Sequence, residues 1–364
     1  MRACHSSRRT TARLALLAIV LTVWTPAVHG QTPAGLPERL TDTSFWALIE
    51  ETSEENGYFQ SDNLVGNERP LQQVVPALRR MKRGGAYLGV APDQNFTYIV
   101  ALEPRIAFIV DIRRGNFLEH LMYKAIIELS PTRAAFLSRL FSVPQEDAPP
   151  GATAAELFAH LPIPEPDPAV FERNFTAITE QLVRVHGFPL STDDLDGIKS
   201  IYEHFFRFGP SLTYSSSNGG GRGNMPTFAE LQVLTDLDGR EQSYLATEDN
   251  YRFLRSFQQR NLIVPIVGDF AGPKALRAVG RYLTSHGATV TAFYVSNVEQ
   301  YLFRNAVAAS FYENVATLPL DAGSVFLRSA SGRNVIDPIL ALLQEFDAGR
   351  LKVYMDVTSR GAIR

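Results

Sequence analysis

The chain has 364 residues, of which 45% are hydrophobic and 20% are charged, and its formal net charge is −3 at pH 7. A chain of this length can bury a large core, and the charge offers no basic surface for nucleic acid or an anionic membrane. The only cysteine is Cys4, which excludes an intramolecular disulfide and a metal site built on several cysteines.

The first thirty residues have the three-part pattern of a secretory signal peptide. The basic stretch MRACHSSRRTTAR precedes an apolar core, LALLAIVLTVW, and PAVHGQ supplies small residues for cleavage after Gly30. We therefore predict a signal peptide at 1–30 and an exported protein, periplasmic or secreted, with no membrane span after cleavage. An uncleaved N-terminal anchor is the alternative, although the core is short for a span. The twin arginines in this stretch leave the export pathway open.

Helices and two strands are predicted between residues 31 and 141. TDTSFWALIEETSEEN at 41–56 is typical of an amphipathic helix capped by Thr41 or Asp42, and a second helix covers about 70–83. Strands follow at 86–91 and 106–111, with a loop at 92–97 and a helix or extended piece at 96–103. Further helices are predicted from 114 to 130 and from 131 to 140.

The composition changes between 142 and 226. Seven prolines fall between residues 144 and 168, which predicts a surface excursion with one short helix in ATAAELFAHL. Helical patterns return at 169–186 and 193–207. GPSLTYSSSNGGGRGNMP at 209–226 predicts a mobile loop or lid, because it lacks the Gly-Lys-Ser/Thr ending of a phosphate-binding loop.

Strands and helices alternate clearly after residue 227. Buried strands are predicted in LIVPIVGD, TVTAFYVSN, SVFLRSA and LKVYMDVTS, and the last two enclose a helix, NVIDPILALLQEFDAG. This alternation predicts an α/β fold with a mainly parallel, Rossmann-like sheet of about seven strands and helices on both faces. We predict its two halves at 31–141 and 227–364, separated by a helical, proline-rich insertion at 142–226.

Polar side chains follow the predicted strands at their carboxyl ends, where open parallel sheets bind ligands. Cofactor binding is expected from the first two strand ends, at Gly89, Pro92, Asp93, Gln94, Asn95 and Asp111. Candidate catalytic groups follow two later strands: Asp269, Asn297 and Glu299.

Asp111 is the strongest of these candidates, because a carboxylate at a strand tip can accept both hydroxyls of a ribose. The alternative is that Asp111 caps the next helix or pairs with Arg113 or Arg114. Capping is also the alternative for Asp269, Asn297 and Glu299, because each leads into a helix.

A polar loop, GYFQSDNLVGNE at 57–68, comes before the first strand. Its hydrogen-bonding side chains are Asp62, Asn63, Asn67 and Glu68, which predict either a lid over a ligand or an ordinary turn. A calcium loop is the weaker alternative, because the alternating ligands and the glycine of an EF-hand are missing. No metal site is predicted, because the histidines are far apart and form no HExxH pair.

Two resemblances rest on these residues. The order of elements from about 57 to 360 resembles the class I S-adenosylmethionine-dependent methyltransferase fold. SDNLVGNE (61–68) and GVAPDQNFTYI (89–99) are similar to stretches of a family of uncharacterised bacterial proteins. The methyltransferase resemblance implies that Asp111 binds a ribose and that Asp269 lies at the methyl-transfer edge. The chain departs from that pattern at the glycine-rich turn, because Gly89 is its only glycine there.

The leading expectation is an exported, methyltransferase-like group-transfer enzyme that binds a small adenosyl-type ligand such as S-adenosylmethionine. The alternatives are a non-catalytic ligand-binding protein of the cell envelope that reuses the fold, and a structural envelope protein. The absence of a Gly-x-Ser-x-Gly elbow argues against a common serine hydrolase. Glu119, His120, Tyr123 and Lys124 share helical spacing in EHLMYK, and solvated helix residues are the preferred interpretation.

Overall fold

Six strands of the described chain form one mostly parallel sheet. The computed structural model of the protein describes Met1 and residues 35–144, 149–161, 167–214, 225–330 and 332–359. The strands are β1 (Ala86–Gly89), β2 (Ile106–Asp111), β3 (Ile263–Val267), β4 (Val290–Ser296), β5 (Val325–Ala330) and β6 (Arg333–Pro338). Their order across the sheet is β3-β2-β1-β4-β5-β6, and β6 pairs antiparallel with β5. Residues 2–30 of the predicted signal peptide and 215–224 of the glycine-rich stretch lie outside the described residues.

Fifteen α-helices of the described residues accompany the sheet. They are α1 (Asp42–Thr52), α2 (Val75–Leu78), α3 (Gln94–Leu102), α4 (Arg114–Leu129), α5 (Arg133–Phe141), α6 (Ala154–Ala159), α7 (Pro168–Glu180), α8 (Thr192–Phe208), α9 (Phe228–Val233), α10 (Glu248–Gln259), α11 (Ala275–Ser285), α12 (Val298–Arg304), α13 (Ala308–Val315), α14 (Ile339–Asp347) and α15 (Tyr354–Thr358). A π-helical turn, Gln181–Val185, continues α7. The division into two half-domains and an insertion stays a prediction.

The sequence of each central strand explains its position in the sheet. Every residue of β1, β2 and β3 is buried, as strands of a parallel sheet covered by helices require. β3 contains Pro265 and pairs only with β2, at the edge of the sheet, where a missing N–H costs no ladder hydrogen bond. In that pairing Asp111 lies opposite Val267, so the carboxyl ends of β2 and β3 meet at one edge.

The two helices predicted near the N-terminus differ in how well they agree with the structure. The helix predicted at 41–56 is confirmed as α1, although it ends at Thr52, and Thr41 caps it by accepting the N–H of Ser44 at 3.1 Å. The helix predicted at 70–83 is wrong in extent: a 3₁₀ turn, Arg69–Val74, is followed only by the short α2. Pro76 explains the break, because it lacks an N–H and its ring clashes with the carbonyl four residues earlier.

The C-terminal end also differs from the prediction. The stretch predicted as one helix from Asn334 begins instead as β6, which forms a hairpin with β5, and becomes helical at Ile339. The last predicted strand, LKVYMDVTS, is wrong: it contains α15, whose start is capped by Asp356. The Asp356 carboxylate accepts the N–H groups of Lys352 and Val353 at 2.7 and 2.9 Å. The described sheet thus has six strands where about seven were expected.

Candidate functional site

A cavity of about 310 Å³ lies at the carboxyl edge of the sheet. Its walls come from the residues that follow β1, β2, β3 and β4, from the loop 58–67 and from α12. Its polar side chains include Asn63, Asn67, Gln94, Asp111, Arg113, Asp269, Ser296, Asn297 and Arg304. Its aromatic side chains are Tyr58, Phe59, Tyr214, Phe270, Tyr294 and Tyr301. A largely preformed, partly apolar cavity with a few polar groups is typical of a small-molecule site.

The turn after β1 is held together by the side chain of Asn95. Its Nδ2 donates hydrogen bonds of 2.7–3.0 Å to the three carbonyl oxygens of residues 90–92. Its Oδ1 accepts a 2.8 Å hydrogen bond from the Tyr87 hydroxyl. A Cβ on Gly89 would lie 2.0 Å from that Oδ1, so the glycine makes room for the amide. Gly89 and Asn95, expected to bind a cofactor, therefore support the turn behind the cavity.

Three more residues of this turn were expected to bind a cofactor, and they differ in whether they reach the cavity. Pro92 and Gln94 line the cavity, whereas Asp93 lies outside its wall. Asp93 is 1% exposed, and its Oδ2 accepts hydrogen bonds from Gln232 Nε2 at 2.8 Å and the Tyr244 hydroxyl at 3.3 Å. Burial raises the pKa of Asp93 to about 7, against the opposing effect of these hydrogen bonds. The structure thus gives Asp93 an interior position away from the expected cofactor.

Asp111 lines the cavity and forms a buried ion pair with Arg113. Arg113 Nε donates to Oδ1 and Nη2 donates to Oδ2, both at 2.9 Å, and its backbone N–H donates to Oδ1 at 3.0 Å. Each carboxylate oxygen has two lone pairs, so both lone pairs of Oδ1 are used. Of the alternatives left open by the sequence, pairing with Arg113 is the arrangement in the structure.

Arg113 also joins this strand end to the loop that covers the cavity. Its Nη1 donates to the carbonyl oxygens of Ser61, at 3.3 Å, and Asp62. Two of the expected lid residues, Asn63 and Asn67, line the cavity beside this contact. Asp62 contributes its backbone carbonyl to the contact. The loop therefore forms one wall of the site. Two contacts fasten it to the residues that follow β2: the Arg113 guanidinium, and a 2.8 Å hydrogen bond from the Gly57 N–H to the carbonyl oxygen of Ile112.

Glu68, the fourth expected lid residue, is buried beneath the cavity wall. It is 4% exposed, and its Oε1 accepts hydrogen bonds from the Tyr294 hydroxyl at 2.6 Å and Ser296 Oγ at 2.5 Å. Its Oε2 accepts a 3.3 Å hydrogen bond from Gln94 Nε2. Burial raises the pKa of Glu68, and the hydrogen bonds only partly offset this effect. Glu68 thus links the loop to β4 and holds three cavity-lining side chains.

The three expected catalytic residues have different positions. Asp269 lines the cavity, and its Oδ1 accepts the N–H of Ala271 at 2.9 Å, as a turn-capping carboxylate does. Asn297 lines the cavity and makes no side-chain hydrogen bond to a described residue. Glu299 lies outside the cavity wall, 1% exposed, and forms a buried ion pair with Arg328 of β5. Its charge is therefore committed to the interior of the fold.

Three residues in the cavity wall have left-handed backbone conformations although they are not glycine. They are Asn63, with a φ of 49°, Ala91, with a φ of 66°, and Ser296, with a φ of 50°. Such conformations cost free energy for residues with a Cβ, and they concentrate at functional sites. Four other non-glycine residues of the described chain also have a positive φ, outside this wall. Asparagine tolerates the conformation, so the cost at the cavity falls on Ala91, which follows β1, and on Ser296, which ends β4.

Sequence reasoning missed the aromatic part of the wall. The rings of Phe59 and Tyr301 meet edge to face at 5.1 Å, and the Arg304 guanidinium lies 4.8 Å from the centre of the Tyr301 ring. Phe59 belongs to the polar loop, where only hydrogen-bonding side chains were considered. The position of Phe59, an aromatic residue in a loop that precedes a predicted strand, was the sequence feature that could have indicated an aromatic wall.

Four polar or ionisable residues of α4 are buried, contrary to prediction. Glu119, His120, Tyr123 and Lys124 are each at most 2% exposed, so their predicted position on a solvated face is wrong. The reason is that α4 packs against β2 and β3 and also against α8 and α10. Burial raises the pKa of Glu119 well above its usual range and lowers that of His120 to about 4.

Neither metal clusters nor membrane spans are found in the described ranges. No three histidine, cysteine, aspartate or glutamate side chains there are arranged to hold a metal ion. No helix in those ranges combines the length and apolarity needed to cross a membrane.

The sequence of the chain matches a protein family. Residues 64–149 and 165–344 match the family described as Domain of unknown function (DUF7790). The chain belongs to this family. The DUF7790 match covers all six strands, the turn after β1, the Asp111–Arg113 pair and α12. No curated protein matches the chain.

Proposed function

We propose that the protein is an exported small-molecule-binding protein whose ligand lies in the cavity at the carboxyl edge of a Rossmann-like sheet. The strand order supports this proposal. From β1 the chain adds β2 and β3 on one side, and then β4 and β5 on the other. Open α/β sheets bind ligands beside the point where this direction reverses. Ala91 follows β1 and Ser296 ends β4, so the cavity lies at that point.

One observation carries the proposal: four strand ends, α12 and the loop fastened by Arg113 line one concave cavity at the carboxyl edge of the sheet, and its wall combines polar with aromatic side chains. Export is proposed from the pattern of residues 1–30, and a ligand found outside the cytoplasm follows from it.

The residues at the site do not fit an adenosyl ligand held as the methyltransferase resemblance implies. A ribose diol needs an acceptor on each carboxylate oxygen of Asp111, but both lone pairs of Oδ1 already accept hydrogen bonds from Arg113. The turn that would pass beneath the ligand has alanine and asparagine where close approach requires glycine, and Asn95 binds its carbonyl groups. We therefore derive no step through S-adenosylmethionine and favour reuse of the fold.

A cavity-filling variant tests the proposal. Asn67→Trp places an indole in the cavity wall, whereas Gln259→Trp adds the same ring at the exposed end of α10. Residues 31–364 of all three proteins are screened against a small-molecule library by thermal unfolding. A ligand at 100 times its Kd stabilises the folded state by about 2.7 kcal/mol.

We expect compounds that raise the Tm of the unaltered chain and of Gln259→Trp but leave that of Asn67→Trp unchanged. A library that stabilises none of the three, or stabilises Asn67→Trp equally, would contradict binding in this cavity.

A further inference from the structure

Ser296 occupies a strained turn between a strand and a helix. It is the last residue of β4, its φ is 50°, and α12 begins two residues later. It also lines the cavity and is half-buried. A hydroxyl on a strained strand-to-helix turn is the geometry by which many α/β enzymes present a nucleophilic serine. Here the turn is built without the glycines that flank such a serine in the common motif.

A base lies within reach of this hydroxyl. Ser296 Oγ donates a 2.5 Å hydrogen bond to Oε1 of Glu68, whose side chain is buried. The Tyr294 hydroxyl donates to the same oxygen at 2.6 Å, and Gln94 Nε2 donates to Oε2 at 3.3 Å. The carboxylate is therefore held in one orientation toward the serine, as a nucleophile and its base require.

The environment of Glu68 suits this role. Burial raises the pKa of its carboxyl group, which makes the ionised form a stronger base than an exposed glutamate. The titratable side chains that face it are the hydroxyls of Tyr87, Tyr98, Tyr294 and Tyr354, and burial raises the pKa of each of them. They stay neutral near pH 7, so the charge of Glu68 sets the behaviour of this group.

We propose that Ser296 is a nucleophile and Glu68 its general base in acyl transfer from an ester-type ligand. The inference rests on the proposed function, because the cavity must first bind that ligand. Glu68 Oε1 takes the Ser296 proton while Oγ bonds to the carbonyl carbon and the carbonyl π electrons move to its oxygen. Collapse of this intermediate expels the alcohol oxygen, which takes the proton from Glu68 and leaves an acyl-serine.

Water completes the reaction in the same way. Glu68 takes a proton from water as its oxygen attacks the acyl carbon, and Ser296 Oγ leaves with that proton to release a carboxylic acid. Asn297 is placed to assist, because it adjoins the serine in the cavity wall and its amide makes no hydrogen bond to a described residue. An amide donor can stabilise the oxygen on which negative charge develops.

Covalent labelling tests the proposal on the whole chain. Residues 31–364 are treated with phenylmethylsulfonyl fluoride, in which serine Oγ attacks sulfur and fluoride leaves, and the adduct is located by peptide mass spectrometry. We expect one adduct per chain, at Ser296, and none in Ser296→Ala. Glu68→Gln should slow the labelling by about 100-fold. Ser285→Ala, which removes an exposed serine of α11, should label as the unaltered chain does.

The labelling of the unaltered chain decides the question even if Glu68→Gln fails to fold. Modification that is absent from Ser296, or equally fast at surface serines, would overturn the proposal. If labelling fails in this way but compounds still stabilise the unaltered chain and not Asn67→Trp, Ser296 is not a nucleophile and the proposed binding function stands. If no compound binds either, both proposals fail.

Discussion

Arg113 donates hydrogen bonds of 2.9 Å to both carboxylate oxygens of Asp111, while its remaining nitrogen donates to the backbone of the covering loop. One side chain therefore neutralises the acid at the tip of β2 and fastens a wall of the cavity. With both lone pairs of Oδ1 used, only Oδ2 keeps an acceptor position for a ligand hydroxyl.

We predict that Arg113→Ala lowers the free energy of unfolding by about 3–5 kcal/mol, because it leaves Asp111 buried without its cation. Urea denaturation measures this change. Hydrogen exchange should also accelerate around residues 61–64, because the carbonyl groups of Ser61 and Asp62 lose the guanidinium, while the Gly57–Ile112 hydrogen bond still holds the start of the loop.

Arg184→Ala is the matched control for that loss. Arg184 lies 3.3 Å from Glu180, but both side chains are more than half exposed. Such a pair contributes less than about 1 kcal/mol. Equal losses in the two variants would contradict the fastening role of Arg113.

A second prediction concerns the left-handed conformation of Ala91. Ala91→Gly should leave the free energy of unfolding unchanged or raise it by up to about 1 kcal/mol, because glycine adopts this conformation without strain. The same substitution at Ala177, inside α7, should lower it by about 1 kcal/mol. Chemical denaturation of both variants measures the difference, and losses of the same size and sign would show that Ala91 is unstrained.

A third prediction follows from the buried acid Asp93. Its pKa rises on folding from 3.8 to about 7, chiefly by burial, so the folded state holds a proton that the unfolded state releases. This contribution to stability is complete below pH 3.8 and is lost as the pH rises through about 7. The free energy of unfolding should therefore fall by roughly 1.4 kcal/mol per pH unit in this window on account of Asp93.

Asp93→Asn should remove that part of the slope, because an amide does not titrate in this pH range. The amide oxygen can still accept the hydrogen bonds from Gln232 and Tyr244, so the surrounding structure is retained. Glu119 and Glu68 contribute slopes of the same sign, so the informative quantity is the difference between variant and unaltered chain. Urea denaturation at pH 5, 6 and 7 measures it. Parallel curves for the two proteins would show that Asp93 ionises normally in the folded state.

A fourth prediction separates structural from functional acids. Arg328 is 1% exposed and forms ion pairs with both Glu299 and Asp337. Glu299→Gln should lower the free energy of unfolding by about 3 kcal/mol because it leaves the buried guanidinium undercompensated. Ligand-induced stabilisation should persist, because Glu299 lies outside the cavity. Glu172→Gln, in an exposed pair with Lys199, is the control for stability, and loss of ligand binding in Glu299→Gln alone would restore Glu299 to the site.

The central strands were predictable because their sequences are continuous apolar runs. IAFIVD was assigned to residues 106–111 and forms β2 with those bounds. The structure of the C-terminal segment was not predictable in this way. LKVYMDVTS has the alternation of a strand, yet Asp356 caps the start of a helix within it. A side chain that satisfies local N–H groups outweighed a weak periodicity there.

The position of the candidate site followed from a general rule on strand ends, but the state of its side chains did not. Asp111 lines the cavity, and its role in ligand binding stays a prediction. Its pairing depends on the rotamer of Arg113, two residues later, which the sequence does not specify. The link from Glu68 to Ser296 spans 228 positions in the chain. Pairings over such distances need the tertiary structure, because no local pattern encodes them.

The most direct test of this account is a calorimetric titration of residues 31–364 with S-adenosylmethionine and S-adenosylhomocysteine. Asp111→Asn, which preserves the shape of the acid, serves as the control. Because Arg113 occupies the carboxylate of Asp111, we predict no micromolar binding of either compound to the unaltered chain. Micromolar binding that is lost in Asp111→Asn would contradict the account and establish an adenosyl site at the end of β2.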